Sequence, residues 1–156
     1  MKEDTKGDAL AKQTYQSVID GFSQALMDGD ADFVAARLSI PFTLTTELAN
    51  LTLDTKDMVH TIIHHHAEAL GQAGCTAYFR LAISARLAAE DVLEGEHSTH
   101  VLRGTARLVP PYVARATFRK VGTEWHCAKI VKPAMDAVWP LGLPDIPPGQ
   151  GFPFTS

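Results

Sequence analysis

Met27-Asp28-Gly29-Asp30 is the stretch on which the fold turns, because it joins two helical segments and leads them to a strand opening at Pro41-Phe42-Thr43-Leu44. Upstream, at about 100° per residue, Ala11, Tyr15, Val18, Ile19, Phe22 and Leu26 share one stripe, which predicts a helix over residues 8–27. Gly29 then stands where a left-handed C-terminal cap is expected. Asp30 can cap a second, short helix carrying Phe33, Val34 and Leu38, and Ile40-Pro41 should end it, since the residue before proline is pushed out of helical space. Phe42 to Thr46 alternates as a strand, and Asn50-Leu51-Thr52-Leu53 reads as its partner across a short turn.

Further along, Asp54 with Asp57 reads as a capping arrangement for a helix over residues 55–71, with Val59, Ile62, Ile63 and Leu70 on its stripe. Beyond Gly74 the period changes to two. Phe79, Leu81, Ile83, Ala85 and Leu87 alternate with Arg80, Ser84 and Arg86; residues 96–108 repeat the pattern with Leu102, Gly104, Ala106 and Leu108 against Arg103, Thr105 and Arg107. Tyr112, Ala114, Ala116 and Phe118 oppose Val113, Arg115, Thr117 and Arg119. A turn at Gly122-Thr123-Glu124-Trp125 leads to a last strand over residues 125–131. Helices first and a meander last is the plan of an α+β domain with a curved, mostly antiparallel sheet wrapped around three helices.

This reading puts six of the seven arginines on one hydrated sheet face opposite an apolar one. The covered side is rich in Ala and Gly, which leaves space for a helix to approach closely or for a cavity. Residues 1–57 carry ten acids against five bases, whereas residues 76–132 carry five acids against nine bases. A basic sheet could suit an anionic ligand or nucleic acid; the plainer reading is that the two halves complement one another. Without Lys/Arg blocks or an aromatic platform among the arginines, no nucleic-acid partner is expected. Arg80, Arg86, Arg103, Arg107, Arg115 and Arg119 would repel each other if left unpaired, and Glu90, Asp91, Glu94 and Glu96 can reach them across a two-fold axis, so a homodimer through this face is the expectation; the competing reading is a hydrated monomer face whose arginines pair only locally.

At 156 residues the chain is long enough to bury a core without metal or disulfide staples. Its N-terminus is polar, no apolar run approaches membrane-spanning length, and the expectation is a soluble, cytoplasmic protein with no membrane partner. Cys75 and Cys127 sit in no metal or redox spacing and read as free thiols. Residues 1–136 form one domain in this reading. Residues 137–156, with five prolines, three glycines and the apolar Trp139, Leu141, Leu143, Ile146, Phe152 and Phe154, form a tail expected to lie on the domain or its partner.

The segment Phe22 to Asp30, the short helix to Leu38, Pro41-Phe42-Thr43-Leu44, the capped helix after Asp54 and the closing Phe118-Arg119-Lys120-Val121-Gly122-Thr123-Glu124-Trp125 together resemble the nuclear transport factor 2-like superfamily. Within it, they are similar to the SnoaL-like polyketide cyclases and ketosteroid isomerases. The resemblance covers most of residues 10–134 and implies a cystatin-like cone with a pocket at its open end, commonly as a homodimer. It also implies where proton-transfer groups would stand in an isomerase: a phenol at Phe22, a carboxylate base at Thr46 and a protonated carboxyl at Ala114. None of these three residues can do that work.

Polar candidates are few. His66 projects into the middle of the Val59, Ile63, Leu70 stripe, so it is the candidate general acid or base for a pocket; the competing reading is a buried neutral histidine. His65 points away, and His60 with His64 has a chelating spacing but no third ligand, so no metal is expected. Tyr15, His100, Tyr112 and Trp125 fall on the faces read as inward, and with Phe22 and Thr46 they are the candidate ligand contacts. No phosphate loop, nucleophile elbow or dinucleotide fingerprint is present, and no cofactor is expected. Two functions stay open. One is a domain holding a small apolar or weakly polar molecule without turning it over; the other is a lyase, isomerase or cyclase using His66.

Overall fold

The computed structural model describes residues 2–45, 50–108 and 110–131. Thr46 and the tail lie outside them. Helix α1 spans Lys2–Asp28, six residues longer at its start than the stripe predicts. Its end is the expected cap: Gly29 has φ of 71°, and the Gly29 and Asp30 amides donate to the Leu26 and Ala25 carbonyls. Asp30 then accepts from the Phe33 amide and starts α2, Ala31–Ala36.

The short helix stops before the proline. Strand β1, Leu38–Thr45, begins directly after Arg37, because Leu38 pairs with Cys127 and the Cys127 amide donates to the Arg37 carbonyl at 2.8 Å. Pro41 lies inside this strand, its peptide bond to Ile40 is cis, and the register with the neighbouring strand shifts between Leu38 and Thr43. Strand β2, Asn50–Leu53, pairs antiparallel with β1 as expected. Helix α3, Lys56–Gln72, is capped by Thr55, whose side chain accepts from the Met58 amide, rather than by Asp54.

The remaining strands are β3, Ala77–Ala89; β4, Val92–Arg103; β5, Ala106–Arg107; β6, Tyr112–Val121; and β7, Glu124–Val131. They form a curved, unclosed seven-stranded sheet in the order β2-β1-β7-β6-β4-β3, with β5 on β4 and only β1–β7 parallel. Residues 96–108 are therefore not one strand. Gly104, at φ 61°, turns the chain with Thr105, and Ala106 pairs back onto Arg103.

Two strands run in the opposite phase to the sequence reading. On β4, Leu93, His97, Thr99 and Val101 are buried, and on β3 it is Tyr78 and Arg80 that turn inward while Leu81 and Ile83 are 49% and 47% exposed. Beyond a register shift between Ala82 and Ser84, the phase of β3 reverses and Ala85 is buried. The cause is α1. Gln16 accepts from the Ala82 amide at 2.7 Å and donates to the Arg80 carbonyl at 2.8 Å, so its amide occupies the open edge of β3. Strand β6 keeps its expected phase, with Tyr112, Ala114, Ala116 and Phe118 buried.

The main core joins Ala11, Tyr15 and Ile19 of α1 to Val59 and Ile62 of α3 and to Phe42, Leu93, Phe118 and Cys127 of the sheet. Burying Val59 and Leu93 completely stabilises the fold by about 1.5–3 kcal/mol each. A second cluster holds Leu26, Leu70, Tyr78, Val101 and Tyr112. The small residues are used for close approach: a Cβ on Gly95 would lie 2.5 Å from the Tyr15 ring.

Candidate functional site

Between the helices and the sheet lies a cavity of about 80 Å³. Its wall is mostly apolar, with Ile19, Phe22 and Leu26 from α1, Ile62 and Ile63 from α3, and Leu44, Ala116, Phe118 and Ile130 from the sheet. Its polar members are His66, Arg80, His97 and Cys127. An apolar cavity of about 150 Å³ admits benzene, so this one suits a group of a few heavy atoms unless its walls move.

Each polar group is held by its own neighbours. Arg80 donates from one terminal nitrogen to Ser23 Oγ at 2.9 Å and from the other to the Tyr78 hydroxyl at 2.8 Å. Ser23 in turn donates to the Ile19 carbonyl at 2.8 Å. His97 is 3% exposed, and its Nδ1 lies 2.7 Å from the hydroxyl of the fully buried Tyr15. Burial pushes the Tyr15 phenol far above its ordinary value, so it stays protonated. His66, 4% exposed, packs its ring edge-on against Tyr78 with centroids 5.8 Å apart.

His66 and Phe22 thus reach the cavity as the sequence indicates, and Tyr15 touches it through His97. Tyr112 is buried in the second cluster, where burial raises its phenol and Tyr78 and Thr99 are its polar neighbours. Trp125 is half-buried at the far end of β7, with the Lys120 ammonium 5.8 Å from its ring centroid. Neither lines the cavity.

His100 is the clear correction among the candidates: it lies on the outer face, stacked on Phe79 at 4.9 Å. Arg107 can only donate, so His100 Nδ1 accepts at 3.1 Å and Nε2 carries the hydrogen given to Ser98 Oγ at 2.9 Å. Burial and then the Arg107 charge lower its pKa. The sequence reading missed Arg80 and His97 because both sit on strands whose phase it inverted. Leu93 and Val101 share odd numbers with His97, and this was the available signal for β4.

The arginine row also changes. Arg80 is inside, and Arg103 lies against Gly74 at the end of α3, while Arg107 meets the outward His100 and Arg86, Arg115 and Arg119 are exposed. His60 and His64 bind separate carboxylates, Asp32 at 2.8 Å and Glu68 at 3.5 Å, and His65 is exposed. No helix among the described residues is long and apolar enough to cross a membrane.

The helices and sheet superpose on an NTF2-like protein with a cystatin-like fold from Novosphingobium aromaticivorans, with a TM-score of 0.62 and 18% identity over 85% of this chain and 88% of that one. The fold is nuclear transport factor 2-like. A domain of unknown function with a cystatin-like fold from Nostoc punctiforme matches this chain with a TM-score of 0.60 and 11% identity, over 80% of it and 76% of the other. A putative calcium/calmodulin-dependent protein kinase type II association domain from Thiobacillus denitrificans matches with a TM-score of 0.58 and 16% identity, over 74% and 90%. At these identities the likeness is one of fold. No family model and no curated protein sequence matches the chain.

Proposed function

We propose that this NTF2-like domain, of SnoaL-like type, binds a small, largely apolar molecule in the cavity between α1, α3 and the sheet. One observation carries the reading: an apolar wall is interrupted by convergent polar side chains that other residues hold in place. Native mass spectrometry of the purified protein, with gentle and then denaturing ionisation, tests it. A co-purifying small mass lost from an Ile62→Trp variant supports the reading, and NMR titration showing no cavity shifts with any small apolar probe overturns it.

A second reading is favoured by His66 and His97 both lining the cavity. An imidazole is the side-chain type most often used for proton transfer, which is what a lyase, isomerase or cyclase needs. Turnover of a bound molecule that His66→Gln abolishes would favour this reading over simple binding.

For assembly, we propose a homodimer through the outer sheet face. Leu81, Ile83 and Val113 are exposed apolar side chains there, and Arg86 pairs with Glu94 beside Glu96 and Arg115 in a depression of about 590 Å³. Mixed charge of this kind is self-complementary about a two-fold axis. Light scattering on the wild type and on an Ile83→Glu, Val113→Glu variant tests it: a monomeric wild type refutes the dimer. A reducing, cytoplasmic setting fits Cys75 and Cys127, neither of which is in a disulfide.

A further inference from the structure

Arg80 is 9% exposed, lines the cavity and brings a charged guanidinium to it. A buried guanidinium that serves only structure is expected to face a carboxylate, because an uncompensated buried charge is costly. Among the described residues the ion pairs involve Arg37, His60, His64, Arg86 and His126, and none involves Arg80. Its side-chain bonds go to two hydroxyls, Ser23 and Tyr78, which are neutral.

Those hydroxyls take one hydrogen from each terminal nitrogen. They also fix the plane of the fork, with Tyr78 additionally placing its ring 4.8 Å from the guanidinium carbon. We infer that the cavity takes a monoanion, a short apolar carboxylic acid whose carboxylate sits against Arg80. This rests on the binding reading above and names its ligand class.

The charge count selects the class. Arg80 is the one Lys or Arg among the described lining residues, which suits a single negative charge better than a phosphate dianion. A guanidinium fork matches a planar carboxylate in geometry. The apolar wall of Ile19, Phe22, Leu26, Val34 and Ile62 suits a short hydrocarbon tail, and the small volume limits its length.

The test is a matched pair measured by calorimetry on the full chain and kept within the small volume: propanoate against propanamide, equal in shape and different in charge. The expected result is propanoate binding about ten-fold or more tightly, since charge-assisted bonds are roughly twice as strong as neutral ones. In Arg80→Met the ratio should fall to about one, and in Lys129→Met, which removes a cation from the outer depression, the preference should persist. The wild-type comparison stands by itself if Arg80→Met fails to fold. Equal affinity for the two probes overturns the carboxylate assignment and leaves the binding reading intact. Failure of both probes, with cavity shifts from xenon, overturns only the carboxylate assignment; failure of all three overturns both. Loss of the preference in Lys129→Met places the anion outside the cavity and also overturns the proposal.

Discussion

The Tyr15 hydroxyl and His97 Nδ1 are 2.7 Å apart in the interior, joining residue 15 of the first helix to residue 97 of the sheet. Tyr15 also meets the Phe118 ring edge-on at 5.6 Å and covers Gly95, so one side chain locks α1 onto β4 and β6. Tyr15→Phe keeps this packing and removes only the hydrogen bond. It should cost about 1–3 kcal/mol, because His97 loses a buried partner. Chemical denaturation with an unchanged slope checks this; a variant as stable as wild type refutes the role given to the bond.

Gly95→Ala should destabilise more through volume than through chain flexibility. The new methyl would stand 2.5 Å from Cε2 of Tyr15 and 2.8 Å from the Ser84 carbonyl oxygen, and neither the ring nor the backbone has room to retreat. Overpacking of this kind costs about 1–3 kcal/mol. Adding Tyr15→Leu in the same chain should recover part of the loss; purely additive thermal shifts would count against the contact.

His100 should titrate below the ordinary histidine range. Its folded-state pKa is lowered by burial and by Arg107, so protonation favours the unfolded chain. The resulting stability is present above the unfolded value of about 6.5 and is lost as pH falls through the folded one. NMR titration of the ring checks the direction, and Arg107→Ala should move the midpoint upward. A wild-type midpoint at or above the ordinary value would overturn it.

Ketosteroid isomerisation by the familiar mechanism should be absent. Phe22 lines the cavity as a plain ring and Ala114 is buried without any polar group, so two of the three proton-transfer positions are empty of chemistry. The purified protein should convert a Δ5-ketosteroid no faster than buffer. Spectrophotometric turnover that disappears in His97→Gln would show that the cavity has found another base.

Sequence alone determined the elements whose signal is local. The cap at Gly29 needs a residue that accepts positive φ, Asp30 supplies an acceptor to a helix start, and the stripe through Val59, Ile62 and His66 follows from the pitch of the helix that carries it. Strand β6 was equally legible, because its two aromatic side chains, Tyr112 and Phe118, both lie on the buried face while its arginines lie on the other. The period of β3 was legible too, but a period of two defines two faces without saying which is buried. Apolar Leu81 and Ile83 argued for one face; the helix settled it for the other, through Gln16 on the strand edge and Ser23 on the Arg80 guanidinium. A one-residue register shift beyond Ala82 then reversed the phase within the same strand. Arg80 and His97 therefore became cavity residues, and His100 an outer one, only when sheet and helix were packed together. Which side of a pleat faces inward is decided by the partner that covers it, and that partner lies more than sixty residues away from Arg80 in the Gln16 contact.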